Sequence, residues 1–335
     1  MALPFFAPVI SPAQYLLALS KKDHTLAIVD PSTLQIRAKV SVGQDPHEVI
    51  ASTDGTRAYV SIYGGGGLHE LDVIDLVALK ALPSVDTRPF LGPHGLYFEG
   101  GKLWLTVEGS KCVARFDPAT SAFDWAMGTG QERTHMLYVT SDQKKVYTTN
   151  VASGTVSILT NAPMQGPGPG GPPPGGPGGP GGSSFHWTQT LIPVGRGSEG
   201  FDITPDGKRL WTVSSDDGAI YIVDLDAAKV EEKLDAKVFG ANRLQITPDG
   251  KWALISSLRN GDLVVYDVTA RKEGHRIHIG TGAAGILIQP DGTRAFIGCT
   301  PDNYIAVVDL RTWQVTGHID AGGNPDGLAW AKPVQ

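Results

Sequence analysis

A repeat of about 43 residues dominates this sequence and limits the folds that it can adopt. Seven apolar, β-rich runs begin at Gln14, Arg57, Lys102, Lys145, Arg209, Lys251 and Arg294, at steps of 43, 45, 43, 64, 42 and 43 residues. The long step contains a Pro/Gly-rich insertion of about 21 residues, and removing it restores the period. A period of this size indicates an array or a ring of identical supersecondary units.

Each unit follows the same pattern of strands and turns. An apolar strand such as 46–52 leads into a turn of the type Asp54-Gly55 or Asp206-Gly207, where Asp and Gly favour a hairpin. A second and a third strand and a shorter, polar fourth strand follow, and the third strand of most units ends in aspartate: Asp30, Asp75, Asp117, Asp224, Asp267 and Asp309. Helical periodicity is absent, so we predict four antiparallel strands per unit.

Seven four-stranded units predict an all-β fold, a seven-bladed β-propeller that forms a single domain over residues 1–335. The sequence starts at a second strand and ends with 326–331, which matches a first strand. We therefore expect the last strand to join the N-terminal blade and close the ring, which removes a free sheet edge. The Pro/Gly-rich insertion, residues 161–185, falls within blade four.

Three segments resemble the YVTN-type β-propeller repeat: 46–61, 201–213 and 289–298. The resemblance covers nearly the whole chain except 161–185. It implies a seven-bladed propeller, and similar proteins include lactonases, a streptogramin lyase, amine dehydrogenase large subunits and surface-layer or binding proteins. Because one fold serves so many activities, the resemblance does not indicate which of them this protein has.

Composition excludes several classes of protein. The net charge is −6 and the basic residues are scattered, which argues against nucleic-acid binding. No apolar run approaches the length of a transmembrane helix, so we expect no membrane insertion. We also expect Cys112 and Cys299 to be free and buried. The N-terminus does not look like an intact signal peptide, so the protein is periplasmic or secreted if a signal was removed and otherwise cytoplasmic.

Functional residues are expected where the first strand of each blade begins, at the mouth of the central channel. Aligning the repeats puts one residue of each blade there: Asp326, His47, His94, His135, Glu199, Asn242 and Ala284. Three imidazoles followed by a carboxylate would suit a divalent metal (Zn, Fe, Cu or Mn). We predict a metal site of His47, His94, His135 and Glu199. The alternative is a polar, solvated channel without metal.

The loops between second and third strands share this face and should supply the remaining groups. We predict Glu108 as general base, Arg259 as a holder of a substrate anion, and Tyr63 as a further contact. The leading hypothesis is a metal-dependent hydrolase or lyase acting on a small organic molecule. A non-catalytic binding or scaffold propeller and an iron- or copper-dependent oxidoreductase are the alternatives. The Pro/Gly-rich insertion is either an extended loop or a docking arm for a protein partner.

Overall fold

The computed structural model describes residues 14–163 and 185–332, which form seven four-stranded antiparallel sheets. The predicted all-β, seven-bladed propeller is confirmed. Most of the predicted Pro/Gly-rich insertion, residues 164–184, lies outside the described residues.

The first three blades begin near the N-terminus. Blade one contains β1 (Tyr15–Ser20), β2 (Thr25–Asp30) and β3 (Gln35–Ser41); blade two contains β4 (Pro46–Ala51), β5 (Arg57–Ile62), β6 (Glu70–Asp75) and β7 (Lys80–Asp86); blade three contains β8 (Pro93–Glu99), β9 (Lys102–Val107), β10 (Cys112–Asp117) and β11 (Ala122–Gly128). Two short 3₁₀ turns lie between second and third strands, at Gly64–Gly66 and Glu108–Ser110.

The remaining blades follow the same order. Blade four contains β12 (Thr134–Val139), β13 (Lys145–Asn150), β14 (Thr155–Pro163) and β15 (Phe185–Pro193); blade five contains β16 (Ser198–Ile203), β17 (Arg209–Ser214), β18 (Ile220–Asp224) and β19 (Lys229–Leu234); blade six contains β20 (Ala241–Ile246), β21 (Trp252–Ser257), β22 (Asp262–Asp267) and β23 (Lys272–His278); blade seven contains β24 (Ala283–Ile288), β25 (Arg294–Cys299), β26 (Tyr304–Asp309) and β27 (Gln314–Ile319).

The ring closes through β28 (Pro325–Ala331), which pairs antiparallel with β1 and completes blade one. The innermost strands β4, β8, β12, β16, β20, β24 and β28 contact one another around the axis. These strands line the central channel, and their first residues lie at one end of it, the mouth. The predicted closure by the last strand is confirmed.

The core lies between the blades. The second and third strands of each blade are almost entirely buried, whereas the outer strands alternate between exposed and partly buried residues, as in β3 and β27. Each leucine or isoleucine buried between sheets contributes about 1.5–3 kcal/mol to stability. The repeated pattern of β-branched and aromatic residues therefore produces seven similar interfaces, and Trp104 and Trp211 are among the largest fully buried side chains.

The aspartates at the ends of the third strands organise the turns that follow. Asp75 Oδ1 accepts hydrogen bonds from the backbone amides of Val77 and Ala78, and Asp267 Oδ1 accepts the same pair from Thr269 and Ala270. These bonds stabilise the turn between the third and the fourth strand from within the turn itself, which explains why the sequence repeats aspartate at this position.

Cys112 and Cys299 are free and buried, as predicted. Burial raises the thiol pKa of each to about 11, so neither is a reactive thiolate at neutral pH. Within residues 14–163 and 185–332 the structure has no helix with the length and apolar character that a bilayer crossing requires.

Candidate metal centre at the channel mouth

The second residue of each innermost strand lies at the channel mouth. Going around the ring, these mouth residues are Asp326, His47, His94, His135, Glu199, Asn242 and Ala284. The sequence alignment predicted the same seven. The strand register therefore brings three imidazoles from consecutive blades onto one arc of the ring.

Glycines in the third position allow neighbouring innermost strands to approach closely. A Cβ atom on Gly95 would lie 2.3 Å from the backbone oxygen of His135, and one on Gly327 would lie 2.4 Å from that of His47. Any larger residue there would push the strands apart. These glycines thus bring the mouth side chains of adjacent blades into contact.

The three imidazoles are in direct contact. His94 Nε2 lies 3.1 Å from His47 Nδ1, and the ring centroids of His94 and His135 are 3.9 Å apart. His94 and His135 are buried, whereas His47 remains partly exposed at the mouth. The three rings form one cluster and do not point into separate loops.

Glu108 joins this cluster from the turn after β9. Its Oε1 accepts a hydrogen bond from His135 Nδ1 at 2.5 Å, and its Oε2 accepts one from the Tyr63 hydroxyl, also at 2.5 Å. Burial alone would raise the pKa of Glu108, but the bonds from His135 and Tyr63 and the charge of Arg133 outweigh burial and lower it. Glu108 is therefore a buried carboxylate at neutral pH.

The glycine run after Tyr63 positions this carboxylate. The loops that carry Gly66, Gly92 and Gly109 pack so tightly that a Cβ on Gly109 would lie 2.3 Å from the backbone oxygen of Gly66. Gly92 also has a φ of 68°, which glycine adopts without strain. The run packs the Tyr63 loop directly against the turn that carries Glu108.

One nitrogen in the cluster has no partner. Lys21 Nζ lies 2.7 Å from His47 Nε2, and if it donates there, His47 Nδ1 donates to His94 Nε2. If His47 Nε2 instead donates to Asp45 Oδ1, 3.1 Å away, the proton between the two imidazoles belongs to His94. In both cases His94 Nδ1 stays buried without a hydrogen-bond partner among the described residues.

The donor set fits a divalent transition metal. One donor atom from each of His94, Glu108 and His135 lies within 4.8 Å of the other two. Burial, followed by the charges of neighbouring cations, lowers the pKa of His47 to about 4. Burial and the adjacent His135 and His47 also lower the pKa of His94 well below its ordinary value. His47 and His94 are thus neutral at pH 7, the form that binds metals.

Glu199 lies beside the cluster and not within its tightest part. Its Oε2 is 3.8 Å from His135 Nε2 and accepts a hydrogen bond from Asn242 Nδ2 at 2.6 Å. Arg133 Nη2 lies 3.4 Å from its Oε1, and Arg243 Nη1 lies 3.6 Å from its Oε2. Glu199 is therefore held in place but is about a fifth exposed at the mouth.

Arg259 is the one predicted site residue that the structure does not bring to the cluster. Its guanidinium stacks over the Phe239 ring, 5.5 Å from the centroid. Three charged residues that the sequence reasoning missed lie close instead: Lys21 and Asp45 beside His47, and Arg133 between Glu108 and Glu199. Arg133 could have been noticed because it stands two residues before His135.

An ion pair crosses the channel one residue further along the strands. Arg243 of β20 donates a hydrogen bond to Glu48 of β4, and both side chains are about nine-tenths buried. Burial alone would lower the pKa of Arg243, but Glu48, Asp326 and Glu199 together raise it, so the guanidinium stays charged. This pair forms a floor beneath the mouth residues.

Comparisons with known proteins support the propeller fold but do not identify a family. No protein-family model and no curated protein matches this sequence. A solved structure from Bacteroides fragilis named "putative 6-phosphogluconolactonase" matches with a TM-score of 0.73 at 14% identity, over 97% of this chain and all of its own.

Two other solved structures carry different activities. Hydrazine synthase from Kuenenia stuttgartiensis matches with a TM-score of 0.66 at 15% identity, over 85% of this chain and 89% of its own. Dihydro-heme d1 dehydrogenase NirN matches with a TM-score of 0.63 at 14% identity, over 94% of this chain and 66% of its own. Identities this low support the propeller fold alone, and the resemblance to YVTN repeats stays a prediction.

Proposed function

We propose that the protein is a metal-dependent hydrolase or lyase that acts on a small organic molecule at the channel mouth. The observation that carries this proposal is the buried cluster of His94, Glu108 and His135, whose donor atoms lie within 4.8 Å of one another. A buried imidazole nitrogen without a partner costs about 1–3 kcal/mol, and a metal would remove that cost.

The geometry favours exchanging the roles that the sequence suggested for the two carboxylates. Glu108 is buried and bonded to His135, so it is proposed as a ligand together with His94, His135 and the adjacent His47. Glu199 is more exposed and lies 3.8 Å from His135 Nε2, so it is proposed as the general base. A base must reach both solvent and substrate, whereas a ligand need not.

A divalent metal held here would supply Lewis acidity toward an electron-rich oxygen of the substrate. The chain's own residues supply the rest. Asn242 and Arg133 fix the Glu199 carboxylate toward the mouth, and Lys21 and Arg133 place two positive charges at its rim. The Glu48–Arg243 floor lies beneath the cluster. We therefore propose that substrate reaches the cluster from the mouth.

Metal analysis of the purified protein tests the proposal directly. We expect about one equivalent of a transition metal by elemental analysis, lost in His94→Ala because a buried ligand is removed. His278→Ala is the matched control, since that histidine is 72% exposed and lies on an outer strand. Wild-type protein that takes up no metal under any loading condition would leave only the scaffold hypothesis.

The two carboxylate roles are separable by isosteric substitution. Glu108→Gln should weaken metal binding by about 10–100-fold, as loss of a ligating or supporting carboxylate does. Glu199→Gln should retain the metal and lose turnover by about 100-fold or more. The reverse pattern would restore the roles predicted from the sequence.

Lactones are the first substrates to test, because two solved propellers of similar fold bear the name "putative 6-phosphogluconolactonase". A panel of phosphorylated and unphosphorylated lactones, followed by proton release, would detect ring opening. A redox-active metal combined with oxygen consumption and no hydrolysis would favour the oxidoreductase alternative.

A further inference from the structure

The channel contains a chamber beneath the Glu48–Arg243 floor, which we call the lower chamber. Its volume is about 350 Å³, and its lining includes Glu48 and Arg243 but none of the seven mouth residues. A volume of this size accommodates a small organic molecule. The chamber is therefore a compartment distinct from the metal centre.

The fifth residue of each innermost strand determines the character of this chamber. In ring order these residues are Ala329, Ile50, Tyr97, Tyr138, Asp202, Gln245 and Leu287. Apart from Asp202 and Gln245, they are apolar or aromatic. The Tyr97 and Tyr138 rings are 5.1 Å apart and tilted by 55°, next to Asp202 in the ring.

Asp202 is an acidic group without a compensating cation. Its Oδ1 accepts the backbone amide of Ile203 and its Oδ2 accepts that of Ile246, each at 2.8 Å. These two bonds leave about half of the acceptor capacity of a carboxylate unused. No lysine, arginine or histidine in the described part of the chain forms a hydrogen bond or an ion pair with Asp202.

The charges of the chamber do not balance. Glu48 and Arg243 neutralise each other at the floor, which leaves Asp202 as the net charge of the lining. A carboxylate beside aromatic faces is the arrangement that attracts organic cations, since both the ring quadrupole and the charge favour them.

We propose that the lower chamber binds a small organic ammonium ion with an aromatic or apolar body, its nitrogen on Asp202 and its body against Tyr97 and Tyr138. This site is independent of the proposed metal centre. Burial raises the pKa of Asp202 to about 6, so the carboxyl is ionised at pH 8 and ready to pair with an amine.

Calorimetric titration with 2-phenylethylammonium chloride at pH 8 tests this site, with 2-phenylethanol as the uncharged probe of similar shape. We expect wild-type protein to bind the amine with a submillimolar Kd and the alcohol at least about tenfold more weakly. Asp202→Asn should abolish this preference. Asp216→Asn, which removes a charge from an exposed loop of the same blade, should leave it unchanged.

Two further variants keep the test decisive. Tyr138→Leu removes one aromatic wall without touching Asp202, so amine affinity should fall several-fold even if Asp202→Asn does not fold. His94→Ala should bind the amine as wild type does, because the floor separates the two compartments. Equal binding of amine and alcohol by wild-type protein, unchanged binding by Asp202→Asn, or loss of binding in His94→Ala would overturn the proposal.

Discussion

The mouth and the lower chamber are built from the same seven strands, yet their chemistry is opposite. At the mouth, polar side chains contact one another closely, and among the described residues of the ring only His94 Nδ1 and Asn242 Oδ1 are buried without a hydrogen-bond partner. In the lower chamber, the side chains leave about 350 Å³ between them. The chamber residue of each innermost strand follows its mouth residue by three positions, as Ile50 follows His47.

The difference lies in how the charges are compensated. Glu108, Glu199 and Asp45 each have a basic partner, so the mouth is an interlocked network. Among the described residues, only backbone amides donate to Asp202. An interlocked network is suited to holding an ion in a fixed geometry, whereas an open chamber with one unbalanced charge is suited to admitting a larger ligand. The Glu48–Arg243 pair keeps the two apart.

Removing that pair should have the largest effect on stability. Arg243→Met leaves Glu48 buried without its cation, and the free energy of unfolding should fall by about 3–5 kcal/mol in urea denaturation. The double variant Glu48→Gln/Arg243→Met should recover much of the loss, because the uncompensated charge is gone. Arg271→Met, which breaks more exposed pairs with Glu231 and Glu232, should cost about 1 kcal/mol or less. If Arg243→Met and Arg271→Met lowered the free energy of unfolding equally, the Glu48–Arg243 pair would contribute no more to stability than an exposed pair.

The acidic group of the lower chamber should give a distinct pH dependence. Burial raises the pKa of Asp202 from its ordinary 3.8 to about 6. Between these values the folded state binds more protons than the unfolded state, so this group's contribution to stability is lost as pH rises from 4 to 6. The free energy of unfolding of wild type minus that of Asp202→Asn should fall by about 2 kcal/mol over this range. A flat difference would mean that Asp202 is not desolvated.

A smaller effect is expected from the hydroxyl that supports Glu108. Tyr63→Phe removes its hydrogen bond to Glu108 Oε2, and metal affinity should fall about tenfold in a competition titration with a chelator. Tyr221→Phe is the matched control, since Tyr221 donates to the Asp217 carboxylate, which also pairs with Lys233 of the outer strand β19. An equal change in both variants would show that the Tyr63 effect is not specific to the metal centre.

The fold was predictable because a repeated sequence pattern determines it. Seven copies of one turn and strand pattern specify the blade, and the match of 326–331 to a first strand specifies the closure. The mouth ring was predictable for the same reason, since a residue's position in the repeat fixes its position on the strand. His47 and His135 could therefore be grouped from spacing, and His94 joined them because Pro93-His94 matches Pro46-His47 in a unit whose hairpin is two residues shorter.

Contacts made by long side chains were not predictable in the same way. Glu108 was predicted at the mouth, but its bond to His135 depends on the tight packing of three glycine-bearing loops, and the Arg259 guanidinium lies over the Phe239 ring and not in the cluster. Both outcomes depend on side-chain rotamers and loop geometry, which the repeat does not encode. The exchange of roles proposed for Glu108 and Glu199 has the same origin.

Ring closure also has a consequence for the site. Lys21 and Asp326 meet beside His47 although 305 positions separate them in sequence, whereas His47, His94 and His135 come from three successive units. Contacts between residues so far apart in sequence carry a larger entropic cost of loop closure. The imidazoles come from β4, β8 and β12, whereas the charged corner around His47 also needs Asp326 of β28, so closure of the ring completes the surroundings of the candidate metal centre.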